Sequence, residues 1–225
     1  MPIRTPDGRT LTVEGLPAPF TTRWSSVLWT HSPAGGYRLH TGAAGARELV
    51  ARHLGEYERF VVREVSWNGA RLVSYEDPEI GGTTMVWIGP YHELYSFIPG
   101  TAVPFEVFMD ELNKFDMQDS PDGLVLKPRP GSQVRLGNVI AVNTLDGVCS
   151  VQVKPRGQAE SEVPARVGKR VRGGELWKLD EPGADGRLRR TAMLVNESTA
   201  TSLIAINPDD PRFAAVADSL VCTLS

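Results

Sequence analysis

The sequence predicts an α+β protein of two tandem, internally duplicated units, each an antiparallel sheet with a C-terminal packing helix. Three observations carry that expectation. A hydrophobic phrase occurs twice, as "TMVWIGPYHELYSFIP" from residue 84 and "AMLVNESTATSLIAINP" from residue 192. Apolar and polar residues alternate between Gly- and Asp-bearing turns, the period of half-buried strands. Behind a proline after each phrase the period changes to 3.6, a helix start signal.

The elements follow in order. "IRTPDGRTLTVEG" reads as a hairpin turning on Pro6, Asp7 and Gly8, and "RWSSVLWTHSPAGGYRLHTG" as a second one. "AAGARELVARHLGEY" sets Ala46, Leu49, Val50, His53 and Leu54 at helical spacing, which predicts a helix over 43–54. "RFVVREVSWNGARLVSYED" is a strand pair around Asn68-Gly69, and the first phrase supplies two more strands. "PFEVFMDELNKF" is an amphipathic helix with Phe105, Phe108, Met109 and Leu112 on one side.

The second half repeats this order. "VIAVNTLDGVCSVQV" turns at Asp146-Gly147, and "RVRGGELWKLDEP" matches "EVSWNGARLVSYEDP" with Gly69 opposite Gly174. Met85 falls opposite Met193, and Phe105 and Leu112 opposite Phe213 and Leu220. Pro164 interrupts the stretch that corresponds to the first helix, so loop or strand is expected there. The units are therefore placed at 1–128, with the N-terminal hairpin, and 129–225. The Pro/Gly-rich junction carries Leu124, Val125 and Leu126, which need burial.

Composition narrows the function classes. With 225 residues, 41% hydrophobic and 23% charged, the chain suits an ordinary globular protein. No apolar run approaches the roughly 20 residues of a membrane span, and no signal segment opens the chain, so no membrane association and a cytoplasmic location are expected. Arginine outnumbers lysine amid abundant Ala, Gly, Val and Pro, a bias that suggests a GC-rich bacterial genome. Residues 1–128 hold 11 basic and 16 acidic side chains, net −5; residues 129–225 hold 13 and 11, net +2. Neither balance is a nucleic-acid footprint. Cys149 and Cys222 read as small buried apolar groups.

No nucleophile elbow, HExxH helix or Walker A loop is written, so no catalytic residue and no cofactor are assigned. "HTGAAGAR" lacks the lysine of a phosphate loop and reads as a strand-to-helix turn. His31, His40, His53 and His92 match no ligand spacing, so no metal is expected. Asp116, Asp119 and Asp122 in "DMQDSPDG" miss the calcium-loop spacing and read as turn chemistry. The basic residues of the second half, among them Arg156, Arg166, Lys169, Arg170 and Arg172, lack the stacking aromatics of a single-strand binder. A solvated or partner-facing surface is the expectation for them.

Fifteen of the seventeen aromatic residues lie before residue 129. In the strand pair 83–98, alternation sends Met85 and Trp87 to one face and Val86 and Ile88 to the other, so both faces need cover. The turn at Gly89, Pro90, Tyr91 and His92 carries an aromatic and a histidine where its counterpart has Asn196, Glu197, Ser198 and Thr199. Trp87, Tyr91, His92 and Tyr95 are the expected partner-binding residues.

"SLIAINPDDPRFAAVADSL", a late strand, a Pro/Asp turn and a final helix, resembles the end of the PsbP/Mog1/LpqN-like α+β fold. The resemblance covers about 35 residues at the end of each unit. It implies binding modules, because that superfamily is dominated by non-catalytic partners of larger assemblies, chaperones and ligand binders. The functional expectation is a non-enzymatic protein-binding or adaptor protein, chaperone- or immunity-like, with a homo-oligomer left open. The second class is a small-molecule or glycan binder, or hydrolase, with a cleft between the units.

Overall fold

The computed structural model of the chain describes residues 2–16, 24–33, 35–145, 147–182 and 188–225. It is mostly β, with 52% strand and 15% helix, which corrects the expected α+β class. Among the described residues its three α-helices are only eight, eight and nine residues long, so they cap sheets without forming a layer that balances them.

In chain order come β1 (Pro2–Arg4), β2 (Thr10–Glu14), β3 (Ser25–His31), β4 (Arg38–Ala43) and α1 (Ala46–His53). Then follow β5 (Val61–Trp67), β6 (Ala70–Asp77), β7 (Gly82–Ile88), β8 (His92–Pro99), α2 (Phe105–Leu112), β9 (Phe115–Ser120) and β10 (Gly123–Pro128). The rest comprises β11 (Arg135–Leu145), β12 (Cys149–Pro155), two 3-10 turns at Arg156–Gln158 and Glu160–Glu162, β13 (Lys169–Val171) and β14 (Gly174–Lys178). Last are β15 (Glu181–Pro182), β16 (Leu188–Arg189), β17 (Thr191–Val195), β18 (Thr199–Ala205), α3 (Pro211–Ser219) and β19 (Val221–Leu224).

Two compact units divide these elements, and neither is one continuous stretch. The first comprises Arg4–Gly8 and Ser25–Asn138; the second comprises Met1–Ile3, Arg9–Trp24 and Val139–Ser225. The expected boundary after residue 128, with the N-terminal hairpin in the first unit, is thereby redrawn. The physical reason is strand pairing. β2 precedes the first unit's strands but pairs antiparallel with β19, Leu11 opposite Leu224 and Val13 opposite Cys222. β10 precedes the second unit's strands but pairs with β9 of the first, Gly123 opposite Ser120.

Within each unit the strands run in one order. The first unit has β3-β4-β8-β7-β6-β5 and the second has β11-β12-β18-β17-β14-β13. Both close with a helix and a further strand. Turn chemistry sets the hairpins: Asn68 and Gly69 have φ of 49° and 78°, the paired positive values of a two-residue turn that matches strand twist. The ladders also move two expected equivalences by one residue. Trp67 pairs with Ala70 and Val171 with Gly174, so the counterpart of Gly69 is Gly173. Counting back from Ile88 and Val195, which close the next hairpins, sets Met85 against Ala192.

In each unit the strands carry cover on both faces, complete on one and partial on the other. In the first unit α2 covers one side: Arg63 lies over the Phe105 ring at 5.6 Å and Thr30 donates to buried Glu111 at 3.2 Å. On the other side Val73, Tyr75 and Val86 form a cluster beneath Tyr57 and Phe60. In the second unit α3 adds Phe213, Val216 and Ala217 to a core that also holds Leu11, Leu220, Cys149 and Cys222. Its opposite face is covered by Ala159 of the 3-10 segment, packed on Trp177, Met193 and Val195. No α-helix forms there, in keeping with Pro164, though the chain makes 3-10 turns where loop or strand was expected. Both thiols are free and buried, and burial raises that of Cys149 to about 11 and that of Cys222 to about 12. Leu124, Val125 and Leu126 are buried in β10.

Leu11 is fully buried in the second unit's core although it lies near the N-terminus. Leu11→Ala is expected to destabilise the protein by roughly 2–5 kcal/mol, as large-to-small core changes do. Denaturant unfolding checks this; a change within experimental error would mean that β2 does not complete that core.

Candidate functional site

The expected contact residues do not share one surface. Ile88 pairs with Glu93, so Val86 stands beside Tyr95 and Trp87 beside Leu94. Cross-strand partners share a face, which puts Trp87 and Tyr95 on opposite sides of the sheet. Trp87 is 7% exposed, a core side chain rather than a contact.

The turn between β7 and β8 is braced by the strand after the helix. Tyr91 and His92 donate their backbone N–H groups to Asp119 Oδ2 at 2.9 and 3.2 Å. His92 Nδ1 lies 2.7 Å from Asp119 Oδ1. Gly89 is required at the turn's start, because a Cβ there would sit 2.3 Å from the Trp87 ring and 2.6 Å from Asp119 Oδ2. His92 is therefore a brace, while Tyr91 stands 49% exposed. The counterpart turn is braced by Asn196. Its Oδ1 accepts from the Ser198 and Thr199 N–H groups at 2.9 Å each, and its Nδ2 donates to the Cys222 carbonyl at 2.7 Å. In both units, then, this turn is tied to the strand that follows the helix.

Tyr95 belongs to a half-exposed aromatic strip. It stacks on His40 at 4.9 Å and 15° between planes, and Arg38 lies over the Trp29 ring at 5.3 Å. Phe97, two residues beyond Tyr95, shares its face, leans over Gly82 and remains 51% exposed. Burial, aided by Arg38, lowers His40 to about 4, so its ring is neutral at pH 7 and acts as an aromatic plate. Burial and then Glu93 raise the Tyr95 hydroxyl.

On the same side lies α1, with its apolar residues turned outward. Leu49, Val50 and Leu54 are 59%, 49% and 62% exposed, whereas Ala51 is buried. Glu93, 1% exposed, explains why: its carboxylate accepts the Arg47 N–H at 2.9 and 3.1 Å. The helix N-terminus in "HTGAAGAR" is thereby occupied by the protein's own carboxylate. Burial raises Glu93 to about 7, against the lowering effect of Arg47 and the Gly45 and Ala46 amides.

Other expected motifs resolve as local structure. Asp116 pairs with Arg129 at 2.8 Å, and Asp119 faces the turn described above, so the three aspartates do not converge. Among the described residues no three His, Cys, Asp or Glu side chains gather as a metal site. Sequence reasoning missed Arg38, His40 and Phe97 as surface partners of Tyr95. The i, i+2 spacing of Arg38 with His40 and of Tyr95 with Phe97 was visible, but the register that juxtaposes the strands was not. No known family model and no curated protein matches the chain.

The raised Glu93 carboxyl has a pH consequence. Between its ordinary value of 4.5 and about 7 the folded chain holds a proton that the unfolded chain has lost. The contribution of Glu93 to stability falls as pH rises through that window. Glu93→Gln removes this contribution, so wild type is expected to lose melting temperature relative to the variant from pH 4.5 towards 7 and to hold a constant offset above it. Melting curves of both proteins across pH check this, and parallel profiles would refute it.

Proposed function

We propose that this chain is a non-enzymatic protein-binding or adaptor protein, a chaperone- or immunity-like partner of another bacterial protein. It takes its partner on the half-exposed side of the first unit. The observation that carries this reading is the coincidence on one side of the sheet of the Tyr95 and Phe97 strip with the outward Leu49, Val50 and Leu54. Exposed apolar side chains on one side of a sheet mark a candidate interaction surface. Aromatic side chains backed by a rigid sheet are the usual anchors of protein interfaces.

The polar features of this side fit the same reading. His40 is neutral and stacked, and Glu93 is engaged by the α1 amides, so neither offers a free acid or base pair to a substrate. Tyr91 projects from the neighbouring turn and extends the surface, because its carbonyl accepts from Ala44 N at the entry to α1.

Affinity capture from the native cell, with wild type and with Phe97→Asp/Leu49→Asp, tests the proposal. Loss of the captured partner with an unchanged melting temperature is expected. Retention of the same partner by the double variant would remove this side from the interface. Tyr91→Ala should weaken the partner by about tenfold with little effect on folding. His92→Ala should lower the melting temperature instead, since it breaks the Asp119 brace.

A further inference from the structure

The second unit carries a cleft of different chemistry. Its walls come from the segment after β12, the stretch 163–167, β13 and the β13–β14 turn, and it encloses about 590 Å³, within the range of ligand sites. Arg156, Arg166, Arg170 and Arg172 converge on it from these separate elements, against only Glu175 and Glu197. The guanidiniums are poorly neutralised. Arg172 reaches Glu14 at 3.0 Å, while among the described residues Arg156 and Arg166 meet only carbonyl oxygens, at 3.4 and 3.3 Å. Arg170 has no ion-pair partner among the described residues.

The cleft is not purely basic. Val167, 87% exposed, stands between arginines at its rim, and Val171 and Val195 line it. Trp177 forms the floor, but its indole N–H already donates to the Arg166 carbonyl at 2.7 Å and its ring is 5% exposed. A nucleic acid would find no free stacking ring there and would face two carboxylates. A peptide that alternates acidic and apolar side chains would match both the charges and the valines. β13 adds a backbone component: it is the outermost strand of its unit's order, and among the described residues its backbone pairs with β14 alone. Such an edge accepts an added strand through main-chain hydrogen bonds.

We propose that this arginine-lined cleft binds an extended acidic peptide segment of a partner protein, laid along β13 with its carboxylates towards Arg156 and Arg170. The site lies on other residues than the first unit's surface, so it stands or falls independently of that reading.

Fluorescence anisotropy of the full chain with a labelled ten-residue peptide alternating Glu with Val and Leu tests the assignment. Expected results are binding at least tenfold tighter than that of the Lys-for-Glu peptide, and weakening as salt rises. Arg156→Ala/Arg170→Ala should lose at least tenfold in affinity with an unchanged melting temperature. A peptide with Pro at its central positions should also bind more weakly, because it cannot pair along an edge. Equal binding by the double variant, or equal binding of the Lys peptide, overturns the site. Displacement of the peptide by ten-residue oligo-dT or inorganic phosphate at concentrations below its own overturns the peptide assignment in favour of a nucleic acid or a free anion. Should the double variant melt early, Val167→Asp at the exposed rim serves as the second test, with the same loss expected and retained affinity counting against the proposal.

Discussion

The pairing of β19 with β2 is the constraint on which the second unit rests. Leu11 and Cys222, more than 200 residues apart in sequence, are both fully buried in one core, with Ile3, Val13 and Trp24 packed around them. Close backbone contact enforces the match: a Cβ on Gly15 would lie 2.0 Å from the Ser219 carbonyl, and Ser219 Oγ donates to the Gly15 carbonyl at 3.0 Å. Closing so long a loop costs chain entropy that grows only slowly with length. Burial of several apolar side chains, each contributing roughly 1.5–3 kcal/mol, offsets it. The first unit closes a shorter loop: β10 forms a hairpin with β9, and the Leu126 N–H donates to the Pro6 carbonyl at 2.8 Å.

One strand order supports two different surfaces because the cover on one face differs. In the first unit that cover is α1, which leaves the strip of Trp29, His40, Tyr95 and Phe97 half-exposed beside it. In the second unit Ala159 and Val163 pack on the cluster of Trp177 and Met193, and the stretch that follows lines a cleft instead. Proline lacks the N–H that a helix interior needs, which suits Pro164 to a segment that forms no α-helix.

Much of the sheet was legible in the sequence, since alternation and turn residues are local. Asn68-Gly69, the Tyr91 turn and the positions of α1 to α3 all follow from nearest neighbours along the chain. Pairing partners are not local. Trp87 and Tyr95 are both odd-numbered, so alternation alone suggests a shared face. Yet Ile88 pairs with Glu93, and odd residues on one strand then lie beside even residues on the next. The same one-residue freedom misplaced the counterparts of Gly69 and Met85, because a period of two tolerates a slip that only a ladder fixes. The α+β class failed for a related reason: three short helices leave strong local signals but little content.

The orientation of α1 is where hydrophobic pattern and polar anchoring disagree, and the anchor wins. Its apolar residues at 49, 50 and 54 would form an inward stripe by spacing, but the helix enters with the Arg47 N–H on Glu93 and with the Arg47 guanidinium over Phe60 and Tyr75 at 5.6 and 5.8 Å. Unmaking the first contact would strand a buried carboxylate, at a cost of several kcal/mol. Turning the stripe inward would recover roughly 1.5–3 kcal/mol for each side chain fully buried, and only if the sheet had room beneath. That room is filled by Tyr57 and Phe60, which lie on Tyr75 at ring separations of 6.2 and 5.9 Å. The helix is therefore held with its apolar side in water.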